Sequence, residues 1–373
     1  MADLRAETLI IGASAAGLAV ARCLQRRSMS FVLLEKNHVV GGVWRKHYDR
    51  LHLHTSKGLS ALPDRPFARD VPKYPARDQL VVYLEAYARD FDLAPRFGEE
   101  VVSVRPVEGG WQALTADNRY RASNVVIATG YARKPHRPTW PDMAIYGGEL
   151  LHSSEYRSGA PFAGQKVLVA GCGNSGAEIA LDLAEHGARP ALAVRGPIHV
   201  VPRDLLGLPI LTWSIVLSRF PPRVADFLSA PLIRLSVGDL SAYGLRRPPY
   251  GPLTQIAERG RIPVIDVGTV AAIKDGRISV YPGVERFTDE GVVFVDGQVA
   301  QFDAMILATG YCPALADFLE DVDEVTDEHG VPRTSGEESD LPGLYFCGFY
   351  VSPAGMLHEI ATEAPRIAGQ IAT

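Results

Sequence analysis

Two short glycine-bearing stretches hold the residues best suited to chemistry. Residues 12–17 read GASAAG and residues 171–176 read GCGNSG; each follows an apolar run and opens a segment with helical apolar spacing. In such a turn the first glycine permits a tight reversal, the last lets helix and strand pack closely, and the helix N-terminus offers backbone N–H groups to a pyrophosphate. Gly12 and Gly17 fill those places in the first turn, with Ser14 where a middle glycine is usual. The serine Cβ narrows the approach of a phosphate, while its hydroxyl offers a hydrogen bond instead. The second turn has the full set, Gly171, Gly173 and Gly176, with Asn174 and Ser175 between the last two.

The charge at the tip of the next strand separates the two turns. Glu35 lies eighteen residues beyond Gly17, at such a tip, where a carboxylate accepts hydrogen bonds from ribose hydroxyls. A free 2′-hydroxyl is expected there, as in the adenosine half of FAD. Arg195 lies nineteen residues beyond Gly176, at the strand tip where the first unit has Glu35. A guanidinium there takes a 2′-phosphate bidentately, so NADPH is expected at the second turn. The plainer rivals are a βαβ packing turn with an incidental surface Glu35, and a solvated strand-end charge at Arg195. Two dinucleotide sites imply electrons passing from a diffusible carrier to a bound one, because hydride chemistry belongs to the cofactors. Cys23, Cys172, Cys312 and Cys347 form no CxxC pair, no metal spacing and no disulfide framework. A disulfide reductase is thereby disfavoured, no metal is expected, and oxygen remains as the common acceptor.

Hydrophobic patterning locates the elements that must position these residues. TLIIG, residues 15–26 and FVLLE read as strand, helix and strand, and a second unit of the same kind opens at Lys166. Residues 78–93 have helical spacing. GGWQALTADNRYRASNVVIATGY reads as two short strands followed by a buried strand that ends at Ala128, Thr129 and Gly130. The later run FDAMILATGY ends at Thr309, Gly310 and Tyr311, so ATGY occurs twice, on either side of the second glycine unit. Both ATGY turns are expected beside the cofactors, where glycine allows close backbone approach. The resulting expectation is an α/β chain of two dinucleotide-binding, Rossmann-like domains. The NADPH domain (146–299) is inserted into a discontinuous FAD domain (1–145 and 300–373). GLYFCGF and a helix over about 355–370 return to complete the FAD domain, and Pro365 predicts a kink or an early break in that helix.

Composition bounds the function classes. At 373 residues two domains are the prior, and 47% hydrophobic with 22% charged residues is ordinary for a globular chain. A net charge of −5 gives no basic field for a phosphodiester backbone, so no nucleic-acid partner is expected. The first strand begins too early to leave room for a signal peptide, and a cytoplasmic location is expected. LLGLPILTWSIVL, from Leu205 to Leu217, is interrupted by Pro209 and too short to cross a bilayer, so no transmembrane segment is expected. The surrounding segment, 203–245, is apolar with interleaved arginines. It reads as a helical lid over a substrate channel, with a membrane-surface patch or a homodimer face as sharper alternatives.

With these residues in view, the chain resembles the flavin-containing monooxygenases, and within them the YUCCA-type indole-3-pyruvate monooxygenases. YGGELLHSSEY places Tyr146, Gly148, His152 and Tyr156 on the family pattern F-x-G-x-x-x-H-x-x-x-[FY], with Tyr for Phe at the first position. A Baeyer–Villiger enzyme would carry Trp at Tyr156. The likeness runs on through YDRLHLH, HVVPRDLLG, YGLRRPPYGPL and IPVIDVGTVAAIKDGRI; Ser14 departs from it, and GMLHEIATEAPRIAGQI follows it loosely.

The resemblance implies that NADPH reduces FAD, that O2 adds at the flavin C4a, and that retained NADP+ shields the peroxide from water, as a closed site suppresses leakage of a reactive intermediate. His54 stands in HLHTSK where many members have Asn near the flavin edge. With Lys57 it is the catalytic pair the resemblance implies, and a packing or FAD-binding histidine is its rival. Trp44 is expected by the flavin, with a core Trp as alternative, and His152 is expected to tie the linker to the NADPH domain. The implied reaction is oxidative decarboxylation of a small organic substrate, indole-3-pyruvate or a similar aryl 2-oxo acid; Arg203, Arg246 and Arg247 are equal candidates for its carboxylate. The alternatives are N-, S- or indole-ring oxygenation, or an FAD/NADPH oxidase or electron-transfer reductase serving a protein partner.

Overall fold

Leu9, Ile10 and Ile11 present apolar side chains to both faces, and the strand that carries them lies inside a sheet. In a computed structural model describing residues 2–373, Ala2–Ile11 pairs in parallel with Phe31–Glu35 on one side and Asn118–Ile127 on the other. The crossover is the helix Ala15–Gln25, buried along Leu18, Ala19, Val20 and Leu24. Asn118–Ile127 also pairs antiparallel with Gly110–Leu114 and parallel with Leu344–Phe346.

That strand differs from the sequence expectation of separate short and buried strands: it is one continuous element of 10 residues. Its first half alternates between exposed and buried positions beside the antiparallel neighbour. Its second half, Val125 to Ile127, is fully buried between parallel strands. The helix Met356–Ile371 runs through Pro365 without the early break. Its apolar face, Leu357, Ile360, Ala364, Ile367 and Ala368, is buried, and it packs on Ala15–Gln25, which outweighs the lost backbone donor.

A second parallel sheet has the order Ser279–Pro282, Arg189–Val194, Lys166–Ala170, Ala304–Leu307, Glu149–His152. Its crossover helix is Asn174–Glu185. The chain divides into two compact units. One comprises 1–46, 55–134 and 311–373; the other comprises 47–54 and 135–310. The apolar segment forms a short hairpin, Asp204–Leu205 with Leu208–Pro209, then the helices Ile210–Leu217 and Pro222–Val237.

The two glycine turns are built alike. Gly12 N–H donates to Leu34 O and Ala128 N–H to Ile11 O; in the second unit Gly171 N–H donates to Ala193 O and Ala308 N–H to Ala170 O. Gly12 and Gly171 adopt φ of +105° and +108°, and a Cβ on either would stand 2.6 or 2.5 Å from the carbonyl oxygen of Ala128 or Ala308. A Cβ on Gly17 or Gly176 would stand 1.8 or 2.1 Å from the carbonyl oxygen of the first glycine of its turn. The middle position is different. Ser14 (φ −103°) and Gly173 (φ −88°) both precede their helices in extended backbone, and a Cβ on Gly173 meets nothing within 4 Å. Serine therefore fits there without strain.

Gly173→Ser should accordingly leave the melting temperature nearly unchanged, whereas Gly176→Ser should cost roughly 2–4 kcal/mol or prevent folding. Thermal unfolding of the two variants checks this, and equal losses would contradict it.

Candidate functional site

The first glycine turn opens onto a groove lined by Gly12, Ser14, Glu35, Lys36, Thr129 and Arg133, among others. Glu35 is buried at the end of its strand and folds back over the turn: Oε2 accepts from Ala13 N–H at 2.8 Å and Oε1 from Asn37 N–H at 2.9 Å and Asn37 Nδ2 at 2.5 Å. A carboxylate has about four lone-pair positions, so Glu35 retains capacity for a sugar hydroxyl. Thr129 Oγ1 is buried with no hydrogen-bond partner, a polar atom of the groove wall left unsatisfied by the protein. Gly17 and Gly130 do not line the groove: Gly17 serves close packing, and Gly130 turns the chain with φ +79°. Trp44, half-buried in the short helix Gly42–Arg45, is also outside the lining, which takes its neighbour Val43 instead.

The second turn opens onto a cavity of about 570 Å³ lined by Gly171, Gly173, Arg195, His199, Arg261 and Thr309, among others. Matching the two units through Leu34 and Ala193, whose carbonyls accept from the first glycines, puts Val194 in the place of Glu35 and Arg195 in the place of Lys36. The expectation that Arg195 stands where Glu35 does is thus corrected by one residue. No carboxylate reaches over the second turn from this strand tip, because its counterpart is the buried Val194.

Arg195 and Arg261 both line the cavity, and neither guanidinium has a carboxylate partner among the described residues. Burial holds the ring of His199 below its ordinary pKa, against an opposing hydrogen bond with the Tyr250 backbone, and Nε2 is buried without a partner. Desolvation pushes the Cys172 thiol up to about 12, so it stays protonated at neutral pH. Asn174 is drawn off for support, its Oδ1 accepting from Ile265 N–H at 2.8 Å. Ser175 and Gly176 lie outside the lining, and Thr309 lines it while its hydroxyl donates to His136 O at 2.5 Å.

His54 Nε2 lies 2.7 Å from Oε1 of Glu178, a residue only 3% exposed on the helix Asn174–Glu185, and His54 Nδ1 is buried with no partner. The carboxylate accepts from Nε2–H and leaves Nδ1 as the ring nitrogen without a protein partner. Lys57 differs. Its Nζ donates to the carbonyls of Ala68, Arg69 and Val71 at 3.2, 2.8 and 2.6 Å, which uses all three donors to clamp a loop and leaves none for a reacting group.

The stretch Tyr146–Tyr156 works as a strap. Tyr146 Oη donates to Phe302 O at 3.2 Å, and Gly148 leaves room for Asp303 O, which would lie 2.6 Å from a Cβ. His152 is fully buried and held neutral by desolvation. Its Nδ1 accepts from Ser154 N–H at 3.1 Å, so the proton sits on Nε2 and is donated to Gly310 O at 3.1 Å. The same carbonyl accepts from His136 N–H at 2.9 Å, so one acceptor gathers the beginning and the end of the second unit. Tyr156 Oη donates to buried Asp182 at 2.5 Å. Tyr311 belongs to the first unit and takes no part in the second cavity's lining.

Residues 6–330 match the model of the flavin-binding monooxygenase-like family. The chain belongs to that family. It is 40% identical over 348 residues to the indole-3-pyruvate monooxygenase YUCCA1 of Oryza sativa subsp. japonica, covering 91% of this chain and 86% of that protein. It is likewise 40% identical over 371 residues to the probable indole-3-pyruvate monooxygenase YUCCA1 of Arabidopsis thaliana, covering 97% and 89%. A mutant flavin monooxygenase from Stenotrophomonas maltophilia superimposes with a TM-score of 0.77 at 25% identity, covering 100% of this chain and 99% of that one. Cyclohexanone monooxygenase shares the fold alone, with a TM-score of 0.74 at 19% identity over 99% and 88% of the chains.

The chain is therefore a flavin-dependent monooxygenase of the class that includes these enzymes, with a mixed α/β fold and parallel sheets. Among the described residues no helix is long and apolar enough to cross a membrane, and no group of His, Cys, Asp and Glu could hold a metal. Sequence reasoning missed Arg261, His199 and Glu178. No local signal marks them, since each reaches its place only through the fold.

His152 and His199 also predict a pH dependence. Both rings are held below the ordinary value of 6.5 in the folded chain, while the unfolded chain takes up protons near that value. The contribution these two rings make to stability is present above pH 6.5 and is lost as the pH falls below it. Melting temperature should drop on acidification from about pH 8 to about pH 5, and less so in His199→Gln. Identical slopes for the two proteins would remove His199 from this account.

Proposed function

We propose that this flavin monooxygenase uses FAD, NADPH and O2 to convert indole-3-pyruvate, or a similar aryl 2-oxo acid, to the acid one carbon shorter. In net terms, 2-oxo acid, O2, NADPH and a proton give the shortened acid, CO2, NADP+ and water. The near-full-length similarity to the rice and Arabidopsis proteins named for that substrate carries the reading.

Bound flavin would supply hydride acceptance and oxygen activation. The first unit's residues fit an FAD adenosine diphosphate. Gly12, Ser14 and the following helix N-terminus present donors to the pyrophosphate, Glu35 has an acceptor left for the ribose, and Thr129 has an unsatisfied hydroxyl. In the second unit, Gly171 and Gly173 suit the NADPH pyrophosphate, with Arg195 and Arg261 free to take the 2′-phosphate and no acid at the strand tip to favour a plain ribose. On this reading the chain holds two Rossmann-like dinucleotide-binding domains, the second inserted into the first. His54 would offer Nδ1 to a reacting group, with Glu178 as the residue that orients it.

Supplying indole-3-pyruvate, NADPH and oxygen should give indole-3-acetate and CO2 in step with NADPH consumed. An N- or S-oxide from a substrate panel, with no acid from the 2-oxo acid, would replace this substrate class. Arg195→Ala should raise the KM for NADPH about tenfold to a hundredfold, the loss of one charged hydrogen-bonding partner, and leave NADH nearly unaffected. Equal losses for both carriers would show that Arg195 does not read the 2′-phosphate.

A further inference from the structure

His199 is fastened at its backbone and unfinished at its tip. Its carbonyl accepts from Val264 N–H at 2.8 Å, and the preceding Ile198 N–H donates to Arg246 O at 2.9 Å, which fixes the ring just ahead of the strand Val200–Pro202. The ring stands edge-on to Tyr250, with centroids 6.0 Å apart, and the guanidinium of Arg259 covers the Tyr250 ring at 4.4 Å. Nε2 is buried with no partner, so the bond with the Tyr250 backbone falls to Nδ1. A buried nitrogen left in that state costs free energy until something pairs with it.

The surroundings select what pairs with it. The cavity that His199 shares with Arg195 and Arg261 has no aspartate or glutamate in its wall. Arg195 is held by its stem, whose Cβ and Cγ lie 3.5 and 3.4 Å from where a Cβ on Gly283 would stand. Arg261 is held by its carbonyl, which accepts from Gln255 Nε2 at 3.1 Å, so both guanidiniums are left to the cavity. The acid that acts on His199 is Asp226, and it already accepts from Leu253 N–H at 2.8 Å and Thr254 N–H at 2.9 Å. Arg247, which repels a proton on the ring, is bonded to Gly238 O. The other imidazole in the wall, His136, is exposed. Burial favours the neutral ring of His199, whereas an anion placed against Nε2 favours the charged one. The three oxygens of one phosphate match two guanidiniums and one imidazolium.

We propose that His199 is a third reader of the NADPH 2′-phosphate, with Nε2 taking a proton from solvent as the phosphate binds and donating it alongside Arg195 and Arg261. The proposal rests on the reading of this cavity as the NADPH site. NADP+ binding then carries a proton into the protein, and NAD+ binding does not. Calorimetric titration of the flavin-loaded, full-length protein with these oxidised carriers, in buffers of unlike ionisation heat, counts that proton without turnover. Between about pH 7 and about pH 9 the 2′-phosphate stays a dianion, so its own titration does not enter. Over that range NADP+ should bind with proton uptake, and its affinity should fall as the pH rises. His199→Gln should lose most of that uptake and bind NADP+ about tenfold more weakly at about pH 7, while NAD+ changes by less than about twofold. Two results would each overturn the proposal with the NADPH reading intact: no proton uptake with NADP+ in the unaltered protein, or equal losses for both carriers in a His199→Gln protein that keeps its flavin. Equal affinities of the unaltered protein for NADP+ and NAD+ would instead remove the NADPH reading, and the proposal with it.

Discussion

Two missing Cβ atoms in each glycine turn are what the rest of the structure depends on. Gly12 lies against the carbonyl of Ala128 and Gly171 against that of Ala308, while Gly17 and Gly176 lie against the carbonyls of the first glycines of their own turns. Any side chain at these positions would drive the crossover helix away from its sheet. With the gap closed, each ATGY strand end is drawn beside a helix N-terminus. That is how Thr129 reaches one groove and Thr309 the other cavity, although each is far in sequence from the turn it flanks.

From this common frame the two sites diverge by substitution at the strand tips. Glu35 covers the first turn with a negative charge that already holds Ala13 and Asn37. Its counterpart, Val194, covers nothing, while the next position is a cation in both units, Lys36 in the first and Arg195 in the second. The carboxylate acceptor is lost to an apolar side chain without any change in backbone hydrogen bonding. The helix termini present like backbone donors, so the electrostatic difference between the two turns rests on these few side chains.

Much of this was legible in the sequence because it is local. The glycine spacing, the apolar strands and Glu35 are all read within single βαβ units, and the counts of eighteen and nineteen residues already contained the one-residue offset of Arg195. Other features were not legible. Glu178 meets His54, and Arg261 joins Arg195, only after distant segments come together. The fusion of Asn118–Ile127 depends on its having three different partner strands. Pro365 was read from its own chemistry, while the buried face around it decided the outcome. The helix Pro222–Val237 is the sharpest case: periodicity reports that an apolar face exists and is silent on whether that face points inward, and here Phe227 and Leu235 are exposed.

The segment from Tyr146 to Tyr156 separates what marks the family from what performs its reaction. Tyr146 reaches the Phe302 carbonyl, Gly148 makes room for that of Asp303, His152 reaches that of Gly310, and Tyr156 is fastened to Asp182. Each of these contacts closes the second unit on itself. His152 in particular is neutral, doubly hydrogen-bonded and fully buried, so it has neither a free lone pair nor a proton to exchange with a reacting group. A pattern made of such residues identifies how the unit is tied and leaves the chemistry unspecified. The side chains whose bonding is incomplete within the protein are instead Thr129, His54, His199, Arg195 and Arg261.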